Sequence, residues 1–529
     1  MSEADQVKEI RRRLRRAYLP FFGRFGTLTP IQREAIPRVL AGSNVVVASP
    51  TASGKTEAVV APVAEALTAR TSAKLSVVYV VPTRALGNDT LARIEGPLSD
   101  MGITTALKHG DRPQLPRPSS QVLITTPESL DSLICRQQGL FRDLQELIID
   151  EIHLLDNTYR GDQLRVLLKR LRQLSSCRDF KTHLLSATLA DAYQVARRYT
   201  ETFEVVQVPG RREIDYLVLD SLADGYALAR ERGWKKVLCF CNKRESVEEV
   251  AAVLGKLWSP YPVLTHHGSL SRNERESTEA IMKQADVAVC VATSTLEVGI
   301  DIGDVDFVLV AEVPWSITSL LQRIGRGNRR KSRIHAGMIA QSEAEKAIAN
   351  SMFEAAARGE VLFEHYVADL GVAVQQIFSC LFQHPHGLSR QEILDVLQPI
   401  CSESEAMLIL SHLCHHDWVE QQIGRCFATE RLMNLGEKGK IHSNIPDMKA
   451  YRVVDADSGR EIGKIAGVFD EVFVLARRAW KVMGVQKDVV KVRHYRGRAS
   501  SPAFRPYRNA SAFSHLLPPK LQTARDDPR

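Results

Sequence analysis

The 529-residue chain is too long for one hydrophobic core, and at roughly 100 to 200 residues per domain it predicts three or four of them. Its 44% hydrophobic and 25% charged residues are an ordinary globular composition, which excludes a disordered or coiled-coil protein, and no apolar run approaches the roughly 20 residues of a membrane span. A net charge of +8 suits a polyanionic partner without identifying it.

The opening stretch MSEADQVKEIRRRLRRAYLPFF lacks the apolar core of a signal peptide. Val7, Ile10, Leu14 and Tyr18 recur at helical spacing among Arg11, Arg12, Arg13, Arg15 and Arg16, which predicts one amphipathic basic helix over residues 1–24, docked on the first domain. Between Val45 and about residue 208, short apolar runs (NVVVAS, LSVVYVV, QVLITT, LQELIID, THLLSAT) alternate with helical patterns, the signature of a parallel sheet with crossover helices in a domain over 25–210. The turn-like QVPGRREID breaks the pattern, and KKVLCFC, YPVLTHHG, ADVAVCVAT and VDFVLVAEV resume it as a second α/β domain over 211–350.

Residues 351–435 read as a helical linker followed by helices at 371–383, 389–398 and 402–416, the last two capped by Ser389 and Ser402. A hairpin in WVEQQIGRCFATE completes the order of a winged helix. Strand alternation over 436–497, with turns at DSG and VMG, predicts a small β-rich module. The Ser-, Pro- and Arg-rich residues 498–529 read as a disordered basic tail. The nine scattered cysteines suit a reducing cytoplasm. Cys401, Cys414 and Cys426, near His415 and His416, raise a zinc site, against which stand the adjacency of the two histidines and the lack of a Cys-x-x-Cys pair.

The stretch ASPTASGKTEA follows a strand and opens a helix, the setting of a phosphate-binding loop. Ser49, Thr51, Ala52, Ser53 and Gly54 would cradle the phosphates of ATP, Lys55 would reach the β and γ phosphates, and Thr56 would ligate Mg²⁺. Ser49 replaces the usual opening glycine, and Ala52 stands where glycine is common. In LIIDEIH, Asp150 and Glu151 sit at the carboxyl end of a strand, where α/β sheets bind ligands; Asp150 suits the Mg²⁺ shell and Glu151 the activation of a water.

With LTPIQREAIP, VVPTRAL, TTPESL, SAT, HHGSLSRNER, ATSTLEVGIDIGDVD and QRIGRGNRR following in order, residues 25–335 resemble a superfamily 2 helicase of the DExH kind. The resemblance implies two tandem RecA-like domains with ATP between them. It assigns Gln32 to the adenine, and Gly299 and Asp301 to the γ phosphate and ribose. Arg326 and Arg329 become the finger arginines delivered from the second domain, with Arg323 holding the domain interface. Thr83, Arg84, Thr126, Pro127 and Thr293 would hold a nucleic acid strand at its phosphates, and His153, Ser186, Thr188 and Gln322 would couple the two sites.

HHGSLSR, STLEVGIDIGDVD, LLQRIGR and the Gly110-Asp111 pair look most like the Lhr group, although Asn328 and Arg329 stand where that group commonly has glycine and histidine. That resemblance implies an ATP-dependent helicase acting on DNA, rather than RNA, with 3′ to 5′ polarity. The alternative is a nucleic-acid-stimulated ATPase clamp that switches conformation without processive unwinding. Trp315 and Trp418 are available to stack on bases, though tryptophans among apolar residues belong more often to a core.

Overall fold

The computed structural model describes residues 2–50, 53–69, 74–112, 114, 120–187, 191–208, 213–293, 296, 302–327, 333–360, 366–446, 450–466, 471–476, 478–486, 488–495 and 511–522. The chain forms two compact units. One combines Met1–Pro209, Glu364–Asp447 and Arg508–Arg529; the other combines Gly210–Phe363 and Met448–Tyr507. The winged helix therefore belongs with the first α/β domain and the β module with the second, a pairing that chain order conceals.

In the first unit the described strands are β1 (Val45–Ala48), β2 (Val77–Val80), β3 (Thr105–Lys108), β4 (Val122–Thr125), β5 (Glu146–Ile149), β6 (Lys181–Ser186) and β7 (Glu204–Gln207), in spatial order 3-4-2-5-6-1-7. Every pairing is parallel, so all carboxyl ends lie on one rim. The runs VVVA, VVYV and VLIT are buried along their whole length, as strands covered on both faces must be.

The N-terminal segment is two helices, Glu3–Arg13 and Tyr18–Phe22, where the sequence predicts one. The break at Leu14 has a local cause: the carboxylate of Glu65 accepts the backbone N–H groups of Arg16 (2.9 Å) and Ala17 (2.8 Å), which a continuous helix would have used itself. Ile10 and Leu14 remain buried, as their spacing predicts.

The winged helix consists of helices Gly371–Gln383, Arg390–Leu397 and Glu403–His415 with strands β14 (Leu388–Ser389), β15 (Val419–Gln422) and β16 (Arg425–Ala428). Ser389 and Ser402 form capping boxes with Glu392 and Glu405. Gly371–Gln383 is buried on nearly every side and lies against helices Pro127–Arg136 and Tyr159–Leu174 of the first domain. A polar network joins them. The Asp131 carboxylate accepts from Gln163 (3.0 Å), Gln375 (2.8 Å), Gln376 (2.7 Å) and Ser379, and faces the Arg170 guanidinium at 3.4 Å and the His442 ring at 3.4 Å. Burial would raise the Asp131 pKa, but His442, Arg170 and Ser379 together hold it well below the usual carboxylate range.

The expectation of a wholly disordered tail is corrected over residues 511–522. Phe513 and Leu517 join the winged-helix core, and Ser511 bonds Asp369 through its N–H (3.1 Å) and hydroxyl (2.9 Å). Gly371 permits this approach, since a Cβ there would lie 2.1 Å from Ser511 Oγ. Arg496, Arg498, Arg505 and Arg508 lie outside the described residues.

The second unit contains β8 (Glu213–Leu219), β9 (Lys236–Phe240), β10 (Val263–His266), β11 (Ala288–Ala292), β12 (Phe307–Val310) and β13 (Arg333–Ile339), in order 10-11-9-12-13-8, again all parallel. The β module is a five-stranded sheet of β17 (Ala450–Asp455), β18 (Glu461–Ala466), β19 (Val472–Leu475), β20 (Arg478–Gln486) and β21 (Val489–Tyr495), in order 18-17-21-20-19. Leu270 of the α/β domain enters the module's core, and Gly463 meets Ser269 so closely that a Cβ would lie 2.4 Å from its carbonyl oxygen. The buried Glu248 carboxylate accepts from the Ala476 N–H at 2.9 Å and pairs with His267 at 3.1 Å, fastening the module from its other side.

Candidate functional site

The carboxyl rim of the first sheet carries the candidate nucleotide residues at its β5-β6-β1 side and the candidate strand-contacting loops at its β2-β4 side. The helix Lys55–Thr68 starts from Gly54, whose φ of +86° is left-handed and suits glycine. Gln32 holds this loop from the side. Its Oε1 accepts the Thr29 N–H (2.9 Å), its Nε2 donates to the Gly54 carbonyl (3.3 Å), and Thr29 Oγ1 donates to the Ser53 carbonyl (2.8 Å). A Cβ at Gly54 would fall 2.2 Å from Gln32 Nε2. The buried Lys55 amine donates to the carbonyls of Ser49 (2.6 Å) and Pro50 (3.1 Å), folded back over the loop. Thr51 and Ala52 lie outside the described residues.

Thr56, Asp150 and Glu151 are buried at the same rim. Asp150 Oδ2 accepts the Tyr79 hydroxyl at 2.6 Å, and Arg93 donates to Thr56 Oγ1 at 3.2 Å. Burial, and then the neighbouring Glu151 charge, push the Asp150 carboxyl up to about 6 against the opposing pull of Tyr79, Lys55 and Arg93. Burial and Asp150 also push the Tyr79 phenol well above its ordinary value. Glu151 has φ +43°, an outlier for a side chain of its size, which turns the chain sharply at the end of β5. His153 Nδ1 lies 3.4 Å from Glu151 Oε2 and 2.8 Å from Ser186 Oγ, so the expected coupling residues His153 and Ser186 meet beside the carboxylate. Thr188 lies outside the described residues.

These residues fit a magnesium nucleotide. Two adjacent buried carboxylates repel each other and would be relieved by a divalent cation, and Ser53 Oγ is buried without a hydrogen-bond partner in a loop whose glycine leaves room for no side chain. Thr56 and Asp150 are the residues that would hold the ion.

On the β2-β4 side, Thr83 caps the helix Arg84–Asp100 and Thr126 caps Pro127–Arg136, whose first residue is Pro127. The exposed Arg84 pairs with Asp111 at 2.5 Å, and Gly110 allows the guanidinium close, since a Cβ there would lie 2.6 Å from Arg84 Nη2. Arg160 ties the two loops together. It grips Glu128 at 2.5 and 3.0 Å and donates to the Pro82 carbonyl. Burial would raise the Glu128 pKa, but Arg160 holds it down.

Tyr79, Arg93, Glu128 and Arg160 are the site residues that the sequence does not single out. Tyr79 left a faint signal as the lone polar tip inside LSVVYVV, and Glu128 lies inside TTPESL; Arg93 and Arg160 sit on helices with nothing to distinguish them from solvated charges.

In the second unit Thr293 is buried, its N–H donating to the His266 carbonyl at 3.2 Å. Arg326 is buried and Gln322 half-buried, at and just beyond helix Ile317–Ile324. Arg323 is buried, donates to Asn242 Oδ1 at 2.8 Å and lies 5.7 Å from the Phe240 ring centre. Gly299, Asp301 and Arg329 lie outside the described residues.

Among the described residues, Asp131, Cys135 and His442 alone gather three metal-capable side chains within 4.8 Å, so Cys401, Cys414 and Cys426 do not converge. At that group the Arg170 guanidinium reaches both Asp131 and Cys135 at 3.4 Å and itself supplies the positive charge. Trp418 is a core residue, covered by the Arg431 guanidinium 3.6 Å above its ring, whereas Trp315 is exposed.

Two family models match in tandem: DEAD/DEAH box helicase over residues 29–195 and Helicase conserved C-terminal domain over 218–331. The chain belongs to the superfamily 2 helicases. The ATP-dependent helicase Lhr-Core of Methanocaldococcus jannaschii is 28% identical over 541 residues, covering 89% of this chain and 62% of that protein. The structure of Mycobacterium smegmatis helicase Lhr bound to ssDNA and AMP-PNP superposes with a TM-score of 0.70 at 24% identity, over 82% of this chain and 62% of that one. The DUF1998 helicase MrfA bound to DNA gives 0.73 at 21% identity, over 94% and 70%. Within the superfamily this chain is of the Lhr-like branch, and it spans less than two thirds of the length of the Lhr-Core relative. No helix among the described residues is long and apolar enough to cross a membrane.

Proposed function

We propose that the protein is an ATP-driven motor that moves along a nucleic acid strand, DNA in preference to RNA, with 3′ to 5′ polarity, and separates duplexes. The observation that carries this reading is the single rim of the first sheet, which carries the Lys55-Thr56 loop after β1, the Asp150-Glu151 pair after β5, Thr83 and Arg84 after the adjacent β2, and Thr126 and Pro127 after β4. The DNA-bound structures of Mycobacterium smegmatis Lhr and of MrfA share this fold. The nine free thiols fit a reducing, cytoplasmic setting.

In this reading Gln32 recognises the adenine, and the amides of Ser49 to Thr56 hold the phosphates. Lys55 exchanges the carbonyls of Ser49 and Pro50 for phosphate oxygens. Thr56 and Asp150 would hold magnesium, which would supply positive charge against the phosphates. Glu151 orients a water toward the γ phosphate and takes its proton. Gly299 and Asp301 contact the γ phosphate and ribose, and Arg326 and Arg329 stabilise the charge that develops on the transferring group. Thr83, Arg84, Thr126, Pro127 and Thr293 hold the strand at its phosphates, which gives affinity with little sequence preference. His153 and Ser186, with Thr188 and Gln322, relay between the two sites. The test is displacement of a labelled strand from 3′- and 5′-tailed DNA, RNA and hybrid duplexes. The reading expects ATP-dependent displacement on the 3′-tailed DNA; stimulated hydrolysis without displacement on any substrate favours the clamp.

A further inference from the structure

The hairpin of the winged helix turns through two residues, Ile423 and Gly424, between the paired Gln422 and Arg425. Their φ angles, +48° and +74°, are both positive, as in the tight turn that joins twisted antiparallel strands. Asparagine and aspartate are the ordinary first residues of such a turn, because a β-branched side chain meets the following carbonyl there. Isoleucine is thus a poor choice for folding, and it gains nothing from packing: Ile423 is 100% exposed. A residue that serves neither the backbone nor the core, held fully exposed at the turn of a hairpin, signals a contact made outside the chain.

The surroundings define that contact. Beneath the tip, the Arg390 guanidinium is fixed by Gln421 (2.8 Å) and the Arg425 guanidinium by the Gly387 carbonyl (2.7 Å), with Gln421 and Gln422 exposed beside them. Two acids lie nearby and both are engaged: Glu420 accepts from Gln422 Nε2 at 2.6 Å, and Glu392, which also feels the Arg425 charge, accepts from the Ser389 N–H at 2.7 Å and its hydroxyl at 2.8 Å. An apolar tip above two immobilised cations and two amides matches the end of a nucleic acid duplex, a flat apolar base pair edged by phosphates. We propose that Ile423 is a wedge that inserts against the terminal base pair of a duplex at a single-strand junction, with Arg390 and Arg425 on the flanking phosphates. This rests on the nucleic acid motor reading and adds to it the residue that meets the paired bases.

The test uses the whole chain and the variants Ile423→Asn, which suits the turn better, and Ile423→Leu, which keeps the apolar tip. A tailed duplex carrying 2-aminopurine in its junction base pair reports unstacking without any nucleotide, while hydrolysis stimulated by single-stranded DNA reports the motor alone. We expect Ile423→Asn to melt at or above the wild-type temperature, to keep single-strand-stimulated hydrolysis, and to lose about five-fold or more of both the 2-aminopurine signal and strand displacement, the scale of one base-stacking contact. Ile423→Leu should keep both. Equal 2-aminopurine signals from wild type and Ile423→Asn overturn the proposal and leave the tip to a protein partner. A parallel loss of single-strand-stimulated hydrolysis in Ile423→Asn also overturns it, by making the tip part of the motor. If the wild type unstacks the junction but displaces no strand, the motor reading fails while the wedge stands.

Discussion

Replacing Asp131 by asparagine isolates what fastens the winged helix to the first motor domain. The side chain is fully buried, and its two oxygens collect Gln163, Gln375, Gln376 and Ser379 around the Arg170 and His442 cations. Asparagine keeps the shape but removes the only negative charge in contact with Arg170 among the described residues and adds an N–H among donors. Removing one partner of a buried pair costs about 3–5 kcal/mol. A pH signature accompanies the loss. Burial would lower the His442 pKa, but Asp131 and Cys135 raise it from 6.5 to about 9. A raised histidine contributes stability that is complete below 6.5 and is lost as pH rises through about 9. At about 1.4 kcal/mol per pH unit the window is worth at most about 3 kcal/mol, since the ring stands 3.4 Å from Asp131 outside hydrogen-bond geometry. Urea unfolding of the wild type from pH 6 to 9.5, followed by limited proteolysis within residues 366–446, should show stability falling across the window. Asp131→Asn should start lower and show no such fall. An unchanged midpoint, or the same alkaline fall in the variant, would refute the reasoning.

Glu151→Gln should lower the rate of hydrolysis by about 10²–10⁴ while nucleotide binding persists, measured by steady-state turnover and fluorescent-nucleotide titration. Arg329→Ala should cost about 10³ in turnover with similar nucleotide affinity. Tyr79→Phe removes the hydroxyl from Asp150 and should raise the Mg²⁺ concentration needed for half-maximal hydrolysis about 10-fold, read from a magnesium titration. Phe513→Ala should destabilise the first unit by up to about 3–5 kcal/mol and expose residues 511–522 to protease. Arg84→Ala should lower the salt slope of single-strand binding by about one and affect all sequences alike.

Local periodicity and capping chemistry made the elements legible. The helices of the winged helix follow the expected bounds within a residue or so because Ser389 and Ser402 start them with capping boxes. The candidate nucleotide residues stand out because phosphate chemistry demands fixed residue types at fixed spacing, and the fold brings Lys55, Thr56, Asp150 and Glu151 to one rim. Long-range partnerships left no such trace. Glu65, some 50 residues away, decides where the N-terminal helix breaks, and Phe513 orders a segment whose composition reads as disorder. Asp131, Gln375 and Ser379 look like ordinary polar helix positions until two helices far apart in sequence meet. Arg160 reads as a solvated charge, yet it ties the loop after β2 to the loop after β4.

In the proposed function, nucleotide turnover at Lys55, Asp150 and Glu151 drives strand separation. Its most direct test follows phosphate release and strand displacement together on a 3′-tailed DNA duplex longer than the protein's footprint, for wild type and Glu151→Gln. Both signals are expected to rise together in the wild type and to vanish in the variant. Displacement that continues in Glu151→Gln, or wild-type hydrolysis indifferent to the strand, would contradict it.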